Sequence, residues 1–328
     1  MSYQLAGKDL HGAGLAPMAG LTDLALRRIA DDHGAAFTVS EMVSAKALVM
    51  GDEKSRALCT HTAGRGLYGI QLFGSEPEVM AEAAAIVAEG FHPVFLDLNL
   101  GCPAPKIAGN GAGSALMRTP ELCGRLVEAI AKAGLPVTVK MRTGYDIEHL
   151  NAPEVARCCV SAGAQLVAVH GRSRDQQYTP PIYPEQIARV VEAVSVPVLG
   201  NGDIHTADDA LALMRTAGCA GVMVGRGALG NPWLFAEIEA AVKGEPLPPA
   251  PALEQRMALL CAQAKAMCEE KGELNAMRQM RGQAAFYMKG LRGAAKLRGL
   301  STGLTVYEDA EKLAALVLEL NSTEAIEE

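Results

Sequence analysis

Three kinds of group in this sequence could do chemistry together: a thiol, a set of cations, and glycine-rich turns that could cradle an anion. The thiol is Cys102, in Leu98-Asn99-Leu100-Gly101-Cys102-Pro103. The run before it, Pro93-Val94-Phe95-Leu96-Asp97-Leu98, reads as a buried strand, and Gly-Cys-Pro ends it abruptly. The cysteine is thereby fixed on a rigid turn at a strand's C-terminal end, where barrels of parallel strands carry their catalytic groups. For a lone cysteine the alternative is a small buried thiol filling a gap. The other strand ends are polar as well: Glu41, Gln71, Asn99, Lys140 with Arg142, His170 with Arg172, Asn201 with Asp203, and Arg226. On an alternating strand, Lys140 and Arg142 point the same way. Turned into a barrel mouth, such cations are partly buried and need a partner, which an anionic ligand would supply.

Two glycine-rich turns, Gly200-Asn201-Gly202-Asp203 and Gly225-Arg226-Gly227-Ala228, follow the last two strands of the pattern. Barrel enzymes frequently bind phosphate there through free backbone N–H groups, and Arg226 adds a cation suited to it. The expected ligand is a phosphate-bearing cofactor lying across the barrel mouth.

The elements that must hold these groups repeat a strand-then-helix pattern. Eight short apolar strands are expected, at 14–18, 36–42, 68–73, 93–99, 137–142, 166–170, 198–201 and 221–225. Helices are expected between them, among them 77–90, 120–134, 153–162, 184–194 and 207–218, several opening near Pro and closing at Gly. An eighth follows at 232–243. Eight such units predict a (β/α)8 TIM barrel. A doubly wound sheet would more usually carry its Gly-rich turn after an early strand; here Gly225-x-Gly227-x-x-Gly230 follows the eighth.

The barrel is expected over 1–244. Four prolines within 245–251 read as a stiff linker, and 252–328 as a small all-helical domain with helices near 252–271, 276–291 and 307–320. From Leu274 through Tyr307 there is no acidic residue, yet Arg278, Arg281, Lys289, Arg292, Lys296 and Arg298 all fall there. In a chain of net charge −7 this asymmetry reads either as a solvated helix face or as a phosphate-backbone contact surface.

The 328 residues are 49% hydrophobic and 20% charged, which allows a large core and argues against disorder. The acidic balance gives no bulk signal for nucleic acid, so any such partner needs a local basic patch. The eight cysteines form no C-x-x-C and no zinc-spaced cluster with histidine, so reduced thiols and no metal site are expected. Met1-Ser2-Tyr3-Gln4 starts no secretory signal, and no stretch approaches a membrane span. A cytoplasmic protein, without membrane contact and monomeric, is expected.

Seven stretches stand in a telling order: Ala16-Pro17-Met18-Ala19-Gly20-Leu21-Thr22-Asp23, Gln71-Leu72-Phe73-Gly74-Ser75, Asn99-Leu100-Gly101-Cys102-Pro103, Val139-Lys140-Met141-Arg142, Val169-His170-Gly171-Arg172, Asn201-Gly202-Asp203, and Gly225 through Trp233. Over nearly the whole chain the set resembles the tRNA-dihydrouridine synthases, most of all their bacterial B-type branch. Met280-Arg281 and Tyr287-Met288-Lys289-Gly290 resemble that family's helical tRNA-binding domain. The resemblance implies an FMN-bound barrel that reduces the C5=C6 bond of uracil in tRNA, with NADPH or NADH as reductant. Carried over by position, Pro17, Met18, Ala19 and Gln71 would contact the flavin ring. Lys140 and His170 would lie near the ring and ribityl chain, and Asn201, Gly202, Asp203, Gly225 and Arg226 would hold the ribityl-phosphate end. Cys102 would donate the proton and Asn99 would orient the uracil. Arg142, Arg172, Arg278, Arg281 and Lys289 would meet the tRNA. A thiol suits a general acid, and a uracil stacked in tRNA must be flipped out to reach a buried flavin.

The chain departs from the family pattern at Thr179-Pro180-Pro181-Ile182-Tyr183, at Arg281-Gly282-Gln283 with Phe286, and in loop 107–111, all in segments expected to meet tRNA. Two other readings stay open at this point. One is an FMN-dependent reductase of a free pyrimidine or another small enone, which has no need of the basic tail. The other is a non-catalytic RNA-binding protein, which a flavin-containing preparation would exclude.

Overall fold

The computed structural model describes residues 2–322 except 62, 63 and 65. Met1 and the last six residues of the expected helical domain, 323–328, lie outside the described residues. A hairpin opens the chain, β1 (Tyr3–Leu5) against β2 (Lys8–Leu10). Eight parallel strands then close a barrel, with short elements and helices between them: β3 (Ala13–Leu15), α1 (Leu24–Asp32), β4 (Phe37–Val39), β5 (Val43–Ser44), α2 (Ala45–Val49), α3 (Glu53–Leu58), β6 (Leu67–Phe73), α4 (Pro77–Phe91), β7 (Phe95–Leu100), α5 (Pro105–Ala108), a 3-10 turn (Gly113–Arg118), α6 (Pro120–Ala131), β8 (Val137–Arg142), α7 (Ala152–Ser161), β9 (Ala164–His170), α8 (Pro184–Ala193), β10 (Val198–Asn201), α9 (Ala207–Ala217), β11 (Gly221–Val224) and α10 (Leu234–Lys243). The sheet runs β4-β3-β11-β10-β9-β8-β7-β6, and the β4–β6 pairing closes it; β5 pairs with β6 as a short extra strand.

The expected TIM barrel is therefore present, with three local corrections. The second strand, expected unbroken over 36–42, is split into β4 and β5. The break is at Ser40, whose hydroxyl accepts the Gln71 N–H at 3.0 Å, where an unbroken strand would use a backbone carbonyl. The β1–β2 hairpin was not foreseen; its Tyr3 and Leu5 pack inside the barrel with Phe37, Phe95, Leu166 and Leu199. Strand β7 is buried along its whole length, as expected where both faces are covered. Room for its Phe95 inside the barrel comes from Gly69 on the neighbouring strand, where a Cβ would fall 2.2 Å from the phenyl ring.

After an exposed run over 244–250 come α11 (Leu253–Lys271), α12 (Glu273–Tyr287), α13 (Ala294–Ser301) and α14 (Tyr307–Asn321). The third correction lies here. The helix expected to reach residue 291 stops at Tyr287, because Gly290 and Gly293 take positive φ; α13, which starts right after those glycines, was not foreseen. These helices share a methionine-rich core, Met257, Met267, Met277, Met280 and Met288, which also takes in Ala25 of α1. Two contacts tie them to the barrel near its mouth. Lys271 Nζ meets Asp23 Oδ2 at 2.7 Å, and Gly230, at φ +66°, lies against the backbone of Phe286 and Tyr287. Among the described residues no helix is long and apolar enough to cross a membrane.

Candidate active site

A cavity of about 560 Å³ opens at the C-terminal ends of the barrel strands, within the range of cofactor and substrate sites. Its walls include Pro17, Met18, Ala19, Gln71, Asn99, Cys102, Lys140, Arg142, His170, Asn201, Gly202, Asp203, Gly225 and Arg226. Of the polar strand-end residues singled out in the sequence, Glu41 and Arg172 do not line it; Arg172 lies buried behind the wall.

The Cys102 turn is held by a directed chain of hydrogen bonds. Asn99 Oδ1 accepts from the backbone N–H of Cys102 at 3.0 Å and of Gly101 at 3.2 Å. Asn99 Nδ2 donates to Gln71 Oε1 at 2.7 Å, and Gln71 Nε2 donates to Asp97 Oδ2 at 2.6 Å. Thr138 Oγ1 donates to the other Asp97 oxygen at 2.6 Å. A carboxylate can only accept, so Asp97 dictates which way both amides face. Burial pushes the Asp97 carboxyl upward, opposed by the hydrogen bonds from Gln71 and Thr138 and by the charge of Lys140. From the other side, Ser114 Oγ donates to Cys102 O at 2.8 Å and Arg142 Nε to Gly101 O at 2.8 Å. The thiol thus stands on a turn fixed at both of its peptide units, half-buried at the cavity.

The cations begin on the neighbouring strand, where Lys140 pairs in register with Asn99. Among the described residues Lys140 Nζ has one hydrogen-bond acceptor, Asn201 Oδ1 at 3.0 Å, and Asn201 is itself anchored through Nδ2 to Met223 O at 2.8 Å. Burial, and then the neighbouring Arg142, pull the Lys140 ammonium down to about 8, against the pull of Asp97. His170 Nε2 lies 3.4 Å from Arg172 Nη1, a group that only donates, so this nitrogen is the acceptor and the ring is neutral. Burial first, then Lys140, Arg142, Arg172 and Arg226, hold its pKa well below the usual histidine range. Four cations thus surround a neutral imidazole.

The placements refine several expectations. Arg142 and Arg172, expected against tRNA, are 3% and 1% exposed and already committed. Arg142 clamps Gly101 O, Ser173 O and Gln177 O; Arg172 holds Thr179 O and the Asp203 carboxylate. Asp203, expected at a phosphate, would repel one directly. It sits between Arg172 and Arg226, 3.3 Å from Arg226 Nη2, and so aims the half-exposed Arg226. It does so from a positive φ of 49°, with Gly202 before it at φ +129°, a sparsely populated backbone held at the cavity. In the helical part, Arg278 and Lys289 are exposed, whereas Arg281 Nε is committed to Leu304 O at 2.8 Å.

The family model for dihydrouridine synthase matches residues 14–322. The chain belongs to the dihydrouridine synthase family. It is 46% identical over 239 residues to a protein of Rhodobacter capsulatus named a probable tRNA-dihydrouridine synthase, covering 72% of this chain and 74% of that one. A Treponema pallidum protein of the same name is 39% identical over 85% of this chain and 84% of its own. The tRNA-dihydrouridine synthase B of Pasteurella multocida is 34% identical over 96% and 93%. Among solved structures, histamine dehydrogenase from Rhizobium sp. 4-9 superposes with a TM-score of 0.54 at 13% identity, over 80% of this chain and 50% of that one, and shares the barrel fold.

In this dihydrouridine synthase several site residues escaped the sequence reading. Asp97 carried a signal, a lone carboxylate in an otherwise apolar strand. Thr138 and Ser114 carried none, because their roles depend on register and loop packing. Tyr178, an exposed ring on the cavity wall 4.7 Å from the Arg226 guanidinium, immediately precedes the segment that departs from the family pattern.

Proposed function

We infer that this chain is a tRNA-dihydrouridine synthase, an FMN-dependent oxidoreductase that reduces the C5=C6 bond of uridine in tRNA, with NADPH or NADH as reductant. The observation that carries the reading is the convergence of the fixed Cys102 turn and the cation wall on one cavity. The site's residues suit FMN. Lys140 keeps ammonium donors beyond the one given to Asn201, and Arg226 presents a half-exposed guanidinium. Ala16, Met18 and Met223 offer apolar cover for a ring. Lys140 would hold the ring and ribityl end, and the backbone of Gly202 and Gly225 with Arg226 would hold the phosphate.

When bound, FMN supplies a hydride to C6 of the uracil. The protein's part is proton delivery and positioning. Cys102 Sγ–H faces the cavity and gives its proton at C5, where negative charge builds as C6 is reduced. Asn99 fixes the donor turn, and its second Nδ2 hydrogen, near only the Met42 thioether at 3.9 Å, is available to a uracil carbonyl. The uracil must leave its stack to enter, and once seated it would cover the transferring proton from bulk water. Arg278 and Lys289 lie outside the cavity and would bind the tRNA body. Such a protein works in the cytoplasm, on its own as a monomer, with 1–244 as the catalytic unit, 245–251 as linker and the following helices as the tRNA-binding unit. The test is dihydrouridine mapping in tRNA from a strain lacking this gene. Loss of dihydrouridine at defined positions, restored by the gene, supports the reading; an unchanged map refutes it.

A further inference from the structure

Outside the cavity, loops beside the Cys102 turn bring two arginines against one tyrosine ring. The guanidinium carbon of Arg118 lies 5.1 Å from the Tyr145 ring centroid, and that of Arg174 lies 5.0 Å from it. Two cations sharing one ring repel each other, and a nearby carboxylate would be the usual relief. Among the described residues neither arginine makes an ion pair. The carboxylates next to Tyr145 and Arg174 in sequence are engaged elsewhere, and Glu121, three residues past Arg118, makes no ion pair with it among the described residues. Asp146 holds the His149 ring at 2.6 Å and the backbone N–H groups of Glu148 and His149; Asp175 accepts from Ser173 Oγ and from the Gln176 N–H. Arg174 Nε is buried with no partner at all.

The three side chains come from three different loops, and each loop is pinned. Arg118 ends the 3-10 turn that begins at Gly113, and Ser114 fastens that turn to Cys102 O. The Tyr145 loop is tied to the same turn by Asn151 Nδ2 on Met117 O at 2.7 Å. Arg174 N donates to Gly144 O at 3.0 Å, while Arg142 grips the carbonyl of Ser173. At about 2 Å of rise per residue, Arg118 stands on the order of 8 Å along the turn from its anchor beside Cys102.

We propose that Arg118, Tyr145 and Arg174 form a clamp for the sugar-phosphate backbone of the RNA strand that carries the target uridine. The proposal rests on the tRNA reading above. Two planar guanidiniums with uncommitted donors match the oxygens of a phosphodiester, and such an anion relieves their mutual repulsion. A base flipped into the cavity keeps its flanking phosphates at the rim, and the segments that carry the clamp leave the C-terminal ends of β7, β8 and β9, the same end of the barrel. The same anion chemistry could serve a phosphate of the reductant NADPH, and the experiment separates the two sources.

The test uses the FMN-loaded enzyme with Arg118→Gln/Arg174→Gln, and with the charge-preserving Arg118→Lys/Arg174→Lys. Binding of unmodified tRNA transcript is measured across a salt series, alongside flavin content and the KM for NADPH in flavin reduction. The glutamine pair should bind tRNA roughly ten- to hundredfold more weakly, and the slope of log affinity against log salt should shrink by about 0.7–0.9, one phosphate's worth. The lysine pair should keep most of the slope. Flavin content and KM for NADPH should match the parent. Parental tRNA affinity and slope in the glutamine pair overturn the clamp; so does a raised KM for NADPH with unchanged tRNA binding, which assigns the anion to the reductant. Glutamine and lysine pairs equally weak, with flavin lost, also overturn it by reducing the cluster to a structural brace. Failure of the tRNA reading itself looks different: the parental enzyme then leaves transcript unreduced.

Discussion

Replacing Asn99 tests the hydrogen-bond chain behind Cys102. Asn99→Ala removes the acceptor for the Cys102 and Gly101 N–H groups and the donor to Gln71 Oε1, so three polar groups lose a partner. The site opens to a cavity that admits water, so each loss falls near the low end of the usual range, about 1 kcal/mol, or about 3 kcal/mol in all. With about 2.1 cal/mol/K of unfolding entropy per residue, that lowers Tm by about 4 °C for a chain of 328 residues. The kinetic effect should be larger, because a released turn lets the thiol drift, and a displacement of about 1 Å can cost on the order of 10² in rate. Reoxidation of pre-reduced enzyme by tRNA should therefore slow about 30- to 100-fold, while flavin reduction by NADPH keeps its parental rate. Asn99→Asp retains an acceptor for both N–H groups but sets a carboxylate oxygen against Gln71 Oε1, so it should hold the turn and recover much of the rate while regaining little of the Tm. If the alanine variant melts with the parent and the aspartate variant is equally slow, Asn99 acts on the uracil alone and the positioning argument fails.

Three further outcomes follow from the cation wall and the docking of the helices. Arg226→Ala should weaken FMN retention by about 1–1.5 kcal/mol, roughly five- to tenfold, the low end for a charge-assisted contact because this side chain is 44% exposed; equilibrium dialysis showing parental retention would place the phosphate elsewhere. The Lys140 ammonium, at about 8 when folded and near 10.5 when unfolded, carries fewer protons folded than unfolded between those values. Chemical denaturation of the FMN-free protein should thus show stability rising with pH from about 8 toward 10.5, and Lys140→Met should abolish that rise. FMN affinity should fall over the start of the same interval, as the cation is lost. Gly230→Ala sets a Cβ 2.7 Å from the Phe286 carbonyl carbon at φ +66°; limited proteolysis should cut faster in the exposed run over 244–250 and tRNA affinity should drop, with NADPH-driven flavin reduction intact.

The barrel was legible because its parallel strands are buried on both faces and so appear as apolar runs, each broken by a polar residue at the mouth. Proline at helix starts marked α4, α6, α7 and α8. The strand break at Ser40 was not legible, since a hydroxyl replacing a backbone carbonyl leaves no mark in the hydrophobic pattern. The cavity residues were legible as polar strand ends, but their division of labour was not. Arg142, Arg172 and Arg226 look alike in sequence, yet two are buried braces and one faces the cavity mouth, a distinction set by which loop carbonyls and carboxylates fold over them. The Arg118–Tyr145–Arg174 cluster was invisible for the same reason: its members lie 27 and 29 residues apart and meet only when three loops are pinned together.

The central claim is that Cys102 delivers the proton at C5 of the uracil. Stopped-flow reoxidation of anaerobically pre-reduced enzyme by unmodified tRNA measures this step alone. Cys102→Ala should bind FMN, accept reducing equivalents from NADPH at the parental rate and melt close to the parent, yet reoxidise with tRNA roughly 10²- to 10⁴-fold more slowly. Cys102→Ser should also be slow, because a hydroxyl is a far weaker acid than a thiol. Reoxidation at the parental rate in both variants would contradict the account and leave Cys102 as a packed thiol at the end of a strand.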